Sequence, residues 1–346
     1  MNSYLIVGGG ALGLASAQAL RLQGAEVTVL ERIATGQESS WAGGGILSPL
    51  CPWDYPEEVT QLALRGAAKF GAWATALHQA TGIDPEYSVC GMRVLPPVDL
   101  DLAQRWCQSH QVPVTMDGDS LFLPAVAQAR NPRLMQALRA NVAQLGVKII
   151  EHCEVQQIVS DGQQVTYLQT AAGQFSADTY ILATGAWTNR VLDNQALSLD
   201  IKPIRGQMLL FKFDSPPLKN IVLKNGLYLI PRRDGHLLVG STLEDVGFDK
   251  STTLAVQHDL LQRAQAVLPA LATMPIVKHW AGLRPGSPRN IPAIGRHPTL
   301  QNLYVNSGHF RYGVTMAPAS VEILLNELNG RAQPFDVSAY RPSLFG

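Results

Sequence analysis

Several chemistries are excluded by what this 346-residue sequence lacks. It has only four cysteines, Cys51, Cys90, Cys107 and Cys153. They are too far apart for a C-x-x-C pair, which argues against a zinc knot or a disulfide framework and leaves four reduced, mostly buried thiols as the expectation. The eight histidines show no H-E-x-x-H spacing. No G-x-S-x-G and no Walker A pattern occurs, so metal hydrolase, serine hydrolase and P-loop readings lose support. Twenty-seven basic residues balance twenty-seven acidic ones, with no basic run, so no electrostatic footprint for nucleic acid is present. No apolar run is long enough to span a bilayer. A glycine motif begins at Gly8, where a signal peptide would lie, so a cytoplasmic location is expected. Internal repeats and low-complexity segments are absent.

What remains is the composition of a soluble globular enzyme, 46% hydrophobic and 16% charged, long enough for one large domain or two intertwined ones. The chain opens MNSYLIVGGGALGLASAQALRLQGAEVTVLER. Residues 4–7 are a short apolar run that reads as a buried parallel strand. Gly8, Gly10 and Gly13 form G-x-G-x-x-G, residues 11–23 are rich in helix-forming Ala and Leu, and residues 26–30 read as a second strand ending at Glu31. Each residue type has a physical role. Gly8 permits a tight turn, Gly10 lets backbone approach a pyrophosphate, and Gly13 lets the helix pack on the strand. The helix N-terminus offers unpaired N–H groups to phosphate, and Glu31 suits a ribose 2′-OH. These residues predict a dinucleotide site.

Further along, residues 39–49 (SSWAGGGILSP) are small enough for a flat ligand to lie against the backbone. Helices are expected at 56–81, 100–110, 132–145, 252–268 and 315–328. Strands are expected at 87–95, 147–150, 155–160, 164–170 and 178–182, and in an antiparallel run over 203–213 and 226–243, with Asp234-Gly235 as a hairpin turn. The strand at 178–182 ends in the small-residue turn Thr184-Gly185. A strand at 301–306 leads through a glycine-bounded turn, 307–314, into the last helix. A helix N-terminus aimed at a ring carbonyl stabilises negative charge there, which suits a flavin better than a nicotinamide. The fold class expected is α/β. A Rossmann-like nucleotide-binding domain (1–80, 132–200 and 281–346) carries an inserted, mainly antiparallel α+β substrate domain (81–131 and 201–280).

The motifs GGGALGLASAQAL, SSWAGGGILSP, YILATGAW, KPIRGQ, YLIPRRDG, HWAGLRPGSP and GHFRYGVTMAPA occur in this order. In them the whole chain resembles the FAD-dependent amine and amino acid oxidases of the D-amino acid oxidase-like family, and within it the glycine oxidase branch associated with thiamin biosynthesis. The first motif is generic to FAD and NAD folds; WAGLRP and GHFRYG are far more specific. The resemblance implies non-covalent FAD, since no cysteine stands near 288–294, where related sarcosine oxidases attach their flavin. It implies hydride transfer from Cα to the flavin, reoxidation by dioxygen to peroxide, and imine hydrolysis; glycine would give glyoxylate and ammonia. FAD would be held by Gly8, Gly10, Ala11, Leu12, Gly13, Glu31, Arg32, Ser39, Ser40, Ala42, Gly43, Gly44, Gly45, Val155, Thr184, Gly185, His309, Arg311, Tyr312, Gly313, Val314 and Thr315. Arg284 and Tyr228 would take the substrate carboxylate, with Arg311 nearby and Leu243 lining the pocket where glycine oxidases often have methionine.

From the residues alone, Arg284 is either a ligand clamp or half of a structural ion pair. Arg311 is either a substrate contact or a brace for the flavin loop, and His309 reads as structural or as a modulator of the flavin. A small amino acid and dioxygen are the implied reactants. A thiazole synthase is a candidate recipient of the imine, and a homo-oligomer is compatible with the sequence. The competing readings are a D-amino acid or sarcosine oxidase, a dehydrogenase with a non-oxygen acceptor, an NAD-dependent dehydrogenase and a non-enzymatic nucleotide sensor.

Overall fold

A computed structural model of the chain describes residues 2–192, 195 and 197–343; residues 1, 193, 194, 196 and 344–346 of the expected nucleotide-binding domain lie outside them. A six-stranded sheet is ordered Ala293–Arg296, Leu303–Ser307, Thr179–Leu182, Ser3–Val7, Glu26–Leu30, Lys148–Ile150. All neighbours are parallel except the edge pair Ala293–Arg296 and Leu303–Ser307. Its central strand is apolar on both faces because both faces are covered. Tyr4 and Ile6 pack with the helices Ala11–Leu22, Glu57–Thr81, Asn131–Gln144 and Gly313–Leu328. Leu5 and Val7 pack against the antiparallel three-stranded sheet of Val155–Ser160, Val165–Thr170 and Gly173–Phe175. This period-2 division of one strand places its end, and Gly8, at the carboxyl edge of the sheet, where open α/β folds bind ligands.

An eight-stranded sheet is ordered Lys278–Gly286, Lys202–Lys212, His236–Gly240, Leu227–Pro231, Ile221–Lys224, Met92–Val94, Ser120–Leu123, Thr115–Asp117. It is antiparallel apart from the pair Ile221–Lys224 and Met92–Val94. On one face Leu209, Phe211, Leu229 and Val239 pack with Leu260 and Ala264 of the helix Leu254–Gln265. On the other, Met208, Tyr228 and Ile230 are turned the opposite way. The expected boundary at 281 falls inside the strand Lys278–Gly286, so Arg284 is carried within a strand of this sheet.

Two further expectations are corrected. The strand foreseen over 87–95 is two, Ser88–Val89 and Met92–Val94, in different sheets. Between them Gly91 takes φ 70, and the N–H groups of Cys90 and Gly91 turn to the Val126 carbonyl. The hairpin Thr115–Asp117 and Ser120–Leu123 was not foreseen, because its first strand is exposed throughout and shows no apolar alternation. No helix among the described residues is long and apolar enough to cross a membrane.

Candidate active site

At the end of the Ser3–Val7 strand, backbone meets backbone. Gly8 takes φ 108, and a Cβ there would come within 2.4 Å of the Ala183 carbonyl oxygen; a Cβ on Gly13 would lie 1.9 Å from the Gly8 carbonyl oxygen. The first helix can therefore approach the strand only with glycine at both positions. Gly13 does not line the cavity described below; it sits beneath the turn and lets the helix start there. Gly10 caps that helix without a side-chain bond, and the Ala11 N–H is satisfied by Ser40 Oγ at 2.9 Å. Glu31 is buried and accepts from the Gly9 N–H at 2.7 Å and the Ile33 N–H at 3.0 Å. Burial pushes its carboxyl above the ordinary range, against the lowering effect of those two donors. Arg32 pairs with Glu38 at 2.8 Å and lies over the Trp187 ring.

From this turn a cavity of about 470 Å³ runs toward the antiparallel sheet, a size typical of cofactor and small-molecule sites. All the residues named above for cofactor and substrate line it, apart from Gly13 and Leu243. Leu243 is corrected: it is 53% exposed and away from the cavity, because the chain leaves the sheet after Gly240 and turns outward. Of the four cysteines, Cys153 alone is at the wall, beside Glu31 at the nucleotide end.

The glycine-bounded turn supplies the middle of the wall. His309 is buried with Nε2 2.8 Å from Ser320 Oγ, and burial brings its pKa down to about 3, so the imidazole is neutral. Tyr312 donates to the Tyr55 hydroxyl, and burial raises its phenol well above the ordinary value. Thr315 Oγ1 donates to the Ile46 carbonyl at 3.2 Å, fixing the flavin-loop candidate 39–49 against the start of the last helix. Asn306 is fully buried at the wall, with neither Oδ1 nor Nδ2 bonded. Such an orphaned amide is costly unless a ligand completes it.

At the far end lies Arg284. Its Nη2 donates to Ser241 Oγ at 2.5 Å and its Nη1 to the Thr242 carbonyl at 3.1 Å. The Tyr228 hydroxyl donates to the same Ser241 Oγ at 2.9 Å. Burial pulls the guanidinium below its ordinary value; Tyr228 opposes this, and the Arg311 charge adds to it. Among the described residues no carboxylate pairs with Arg284 or with Arg311, so neither of these cavity-lining guanidinium groups has an ion-pair partner. The guanidinium lies flat on Gly206, where a Cβ would stand 2.2 Å from both Nη atoms. Gly206→Ala should therefore spare the fold, since a flexible side-chain tip can yield, but push Arg284 out of line. A loss of order one hydrogen bond, about 0.5–1.5 kcal/mol or up to roughly tenfold in kcat/KM, is expected with unchanged unfolding temperature. Steady-state kinetics beside a thermal melt check it.

The sequence reading missed Ser241, Asn306 and Arg232. Arg232 is 3% exposed, and its guanidinium donates to the Gly44 carbonyl at 2.6 Å, Gln128 Oε1 at 2.5 Å and the Ala129 carbonyl at 3.1 Å. Burial lowers its pKa to about 10. It ties the antiparallel sheet to the glycine loop. Its only signal was a second arginine in YLIPRRDG, and nothing local says which of the pair turns inward.

His279, His297 and His309 are all held below the ordinary imidazole value of 6.5 by burial. In the unfolded chain they regain that value and bind protons that the native state does not. Their stabilising contribution is therefore complete above about pH 6.5 and is lost as pH falls below it. His309→Gln should reduce the slope of unfolding free energy against pH below 6.5 by about one proton, measured by denaturant titration at several pH values.

The residues present fit FAD: a glycine turn and helix N-terminus for phosphate, an acidic side chain at the next strand end, and a long cavity with an orphaned amide. The profile of the DAO family, FAD dependent oxidoreductase, matches residues 3–326. The chain is 41% identical to the glycine oxidase of Pseudomonas aeruginosa, covering 98% of both. It is 33% identical to the bifunctional protein ThiO/ThiG of Synechocystis sp., 99% of this chain matching 54% of that protein. The crystal structure of glycine oxidase from Geobacillus kaustophilus superposes with a TM-score of 0.93 at 26% identity, over 99% of each chain. A family match over most of the length, on a fold and cavity of this kind, means that the chain belongs to the FAD dependent oxidoreductase (DAO) family and stands among its FAD-dependent amino acid oxidases.

Proposed function

We propose that this enzyme oxidises glycine, or another small amino acid or amine, at the Cα–N bond. One observation carries the reading: the Arg284 guanidinium faces the cavity, oriented by Ser241 and the Thr242 carbonyl, with no carboxylate partner among the described residues. A cation that faces a cavity without a counter-ion suits an anionic ligand, and a guanidinium grips both oxygens of a carboxylate at fixed geometry. Tyr228 would add a hydrogen bond to that carboxylate by turning from Ser241, and Arg311 would add positive potential.

FAD, when bound, is the two-electron acceptor and passes the electrons on to dioxygen. The protein's share is to hold the carboxylate so that the Cα–H bond has one orientation. Glycine, dioxygen and water would give glyoxylate, ammonia and hydrogen peroxide. Hydride leaves Cα only when the amine is neutral, so the rate should rise with pH until the bound amine has lost its proton. His309 is not needed as a base, and its burial keeps it neutral. In this reading residues 1–80, 132–200 and 281–346 serve FAD, and 81–131 and 201–280, with the rest of the strand bearing Arg284, serve the substrate. The bifunctional Synechocystis relative motivates a hand-over of the imine to a thiazole synthase. Four free thiols fit a reducing, cytoplasmic setting.

Oxygen uptake and peroxide release with glycine, sarcosine and D-alanine test the proposal. Turnover led by glycine and sarcosine is expected, with D-alanine behind. Anaerobic bleaching by glycine that air does not reverse would instead mean a dehydrogenase, and strong preference for larger D-amino acids would mean a D-amino acid oxidase.

A further inference from the structure

Residues 241–253 leave the antiparallel sheet after His236–Gly240 and reach the helix Leu254–Gln265 by an indirect path. They first hold Arg284 through Ser241 and Thr242. They are then pinned twice by one buried cation: Arg205, 5% exposed, pairs with Glu244 at 2.6 Å and Asp249 at 2.5 Å. Between the pins the chain bulges, leaving Val246 exposed and placing Phe248 against the nucleotide end of the other sheet.

There the contacts form a closed row. The Arg190 guanidinium carbon lies 3.6 Å from the Phe248 ring centroid. The Phe248 ring is 5.4 Å from the Trp187 ring, and the Arg32 guanidinium carbon lies 4.5 Å from the Trp187 ring centroid on its own account. Arg32 bonds Glu38, and Glu38 receives Lys250 Nζ at 3.2 Å. The row begins at the segment with Phe248 and returns to it at Lys250. Arg190, Trp187, Arg32 and Glu38 line the cavity beside Glu31, whereas Phe248 and Lys250 stand behind them.

We propose that residues 244–251 are a strap that retains FAD: Phe248 and Lys250 hold the wall of the nucleotide end shut and set the cofactor's residence time. The strap belongs to the antiparallel sheet and to no nucleotide-binding motif. The proposal rests on FAD's nucleotide lying along Gly8 to Glu31. Phe248 carries most of the effect, because cation–π and aromatic contacts persist where solvent screens an exposed pair. Lys250 is 45% exposed and contributes less.

The test is the rate of flavin fluorescence recovery when holoenzyme is diluted far below its FAD affinity. Phe248→Ala should release FAD about tenfold faster and Lys250→Ala about twofold faster, while Phe248→Trp, which restores a ring over Arg190, stays near wild type. Val246→Ala, on the same bulge but outside the row, should leave the rate unchanged. Glu31→Ala separates the two layers of the claim. If Glu31→Ala speeds release and Phe248→Ala does not, the strap is wrong and the nucleotide placement stands. If neither does, both are wrong. Equal acceleration by Val246→Ala and Phe248→Ala would also overturn the strap, since any disturbance of the loop would then suffice.

Discussion

Arg284→Ala should lower kcat/KM for glycine by a hundredfold or more. Removing one partner of a buried charge pair costs about 3–5 kcal/mol, because the other charge is left desolvated and unpaired, and each 1.4 kcal/mol is about a factor of ten. Here the partner left stranded would be the substrate carboxylate, in a cavity where Arg311 also carries no ion pair among the described residues. Arg284→Lys should recover only part of the loss, since an ammonium cannot reproduce the planar fork that Ser241 and the Thr242 carbonyl orient. A simple amine lacking a carboxylate should be nearly indifferent to the change, if it is oxidised at all. The measurement is steady-state kinetics for glycine and for such an amine, in both proteins, at equal flavin loading. Equal losses for the two substrates would mean that Arg284 supports the sheet and not the carboxylate.

The second large effect is at the other end of the cavity. Glu31→Ala should weaken FAD binding by about 1.5–3 kcal/mol, the usual worth of a hydrogen bond to a charged group, or roughly ten- to 150-fold in Kd. Glu31 already organises the turn by accepting from the Gly9 and Ile33 N–H groups. Its loss therefore leaves those donors open as well as the ribose. With FAD saturating, turnover should largely return. FAD titration followed by kinetics of the loaded variant separates the steps; persistently low turnover in fully loaded protein would give Glu31 a different role.

The nucleotide turn was legible because its requirements are local. Gly8, Gly13 and Glu31 lie within one strand–helix–strand unit, and the close approach that demands Gly13 occurs inside it, whereas Gly8 meets Ala183 of a distant strand. The central strands were legible as short apolar runs, and the Asp234-Gly235 hairpin from its turn residues. What escaped depends on distant partners. Ser241 matters because Tyr228 and Arg284 both reach it across strands. Arg232 matters because it turns in toward Gly44, 188 residues away in the chain. Leu243 was misplaced because alignment by motif cannot show that the backbone turns outward after Gly240. The Thr115–Asp117 strand escaped because an exposed edge carries no pattern of burial to read.

The claim on which the functional reading turns is that Arg284 takes the substrate's carboxylate. A crystal structure of the holoenzyme with glycolate, a carboxylate of glycine's size without an amine, addresses it directly. Both carboxylate oxygens are expected within hydrogen-bond distance of the Arg284 guanidinium, with the Tyr228 hydroxyl turned toward one of them. Glycolate bound elsewhere in the cavity, with Arg284 still engaged only by Ser241 and Thr242, would contradict it.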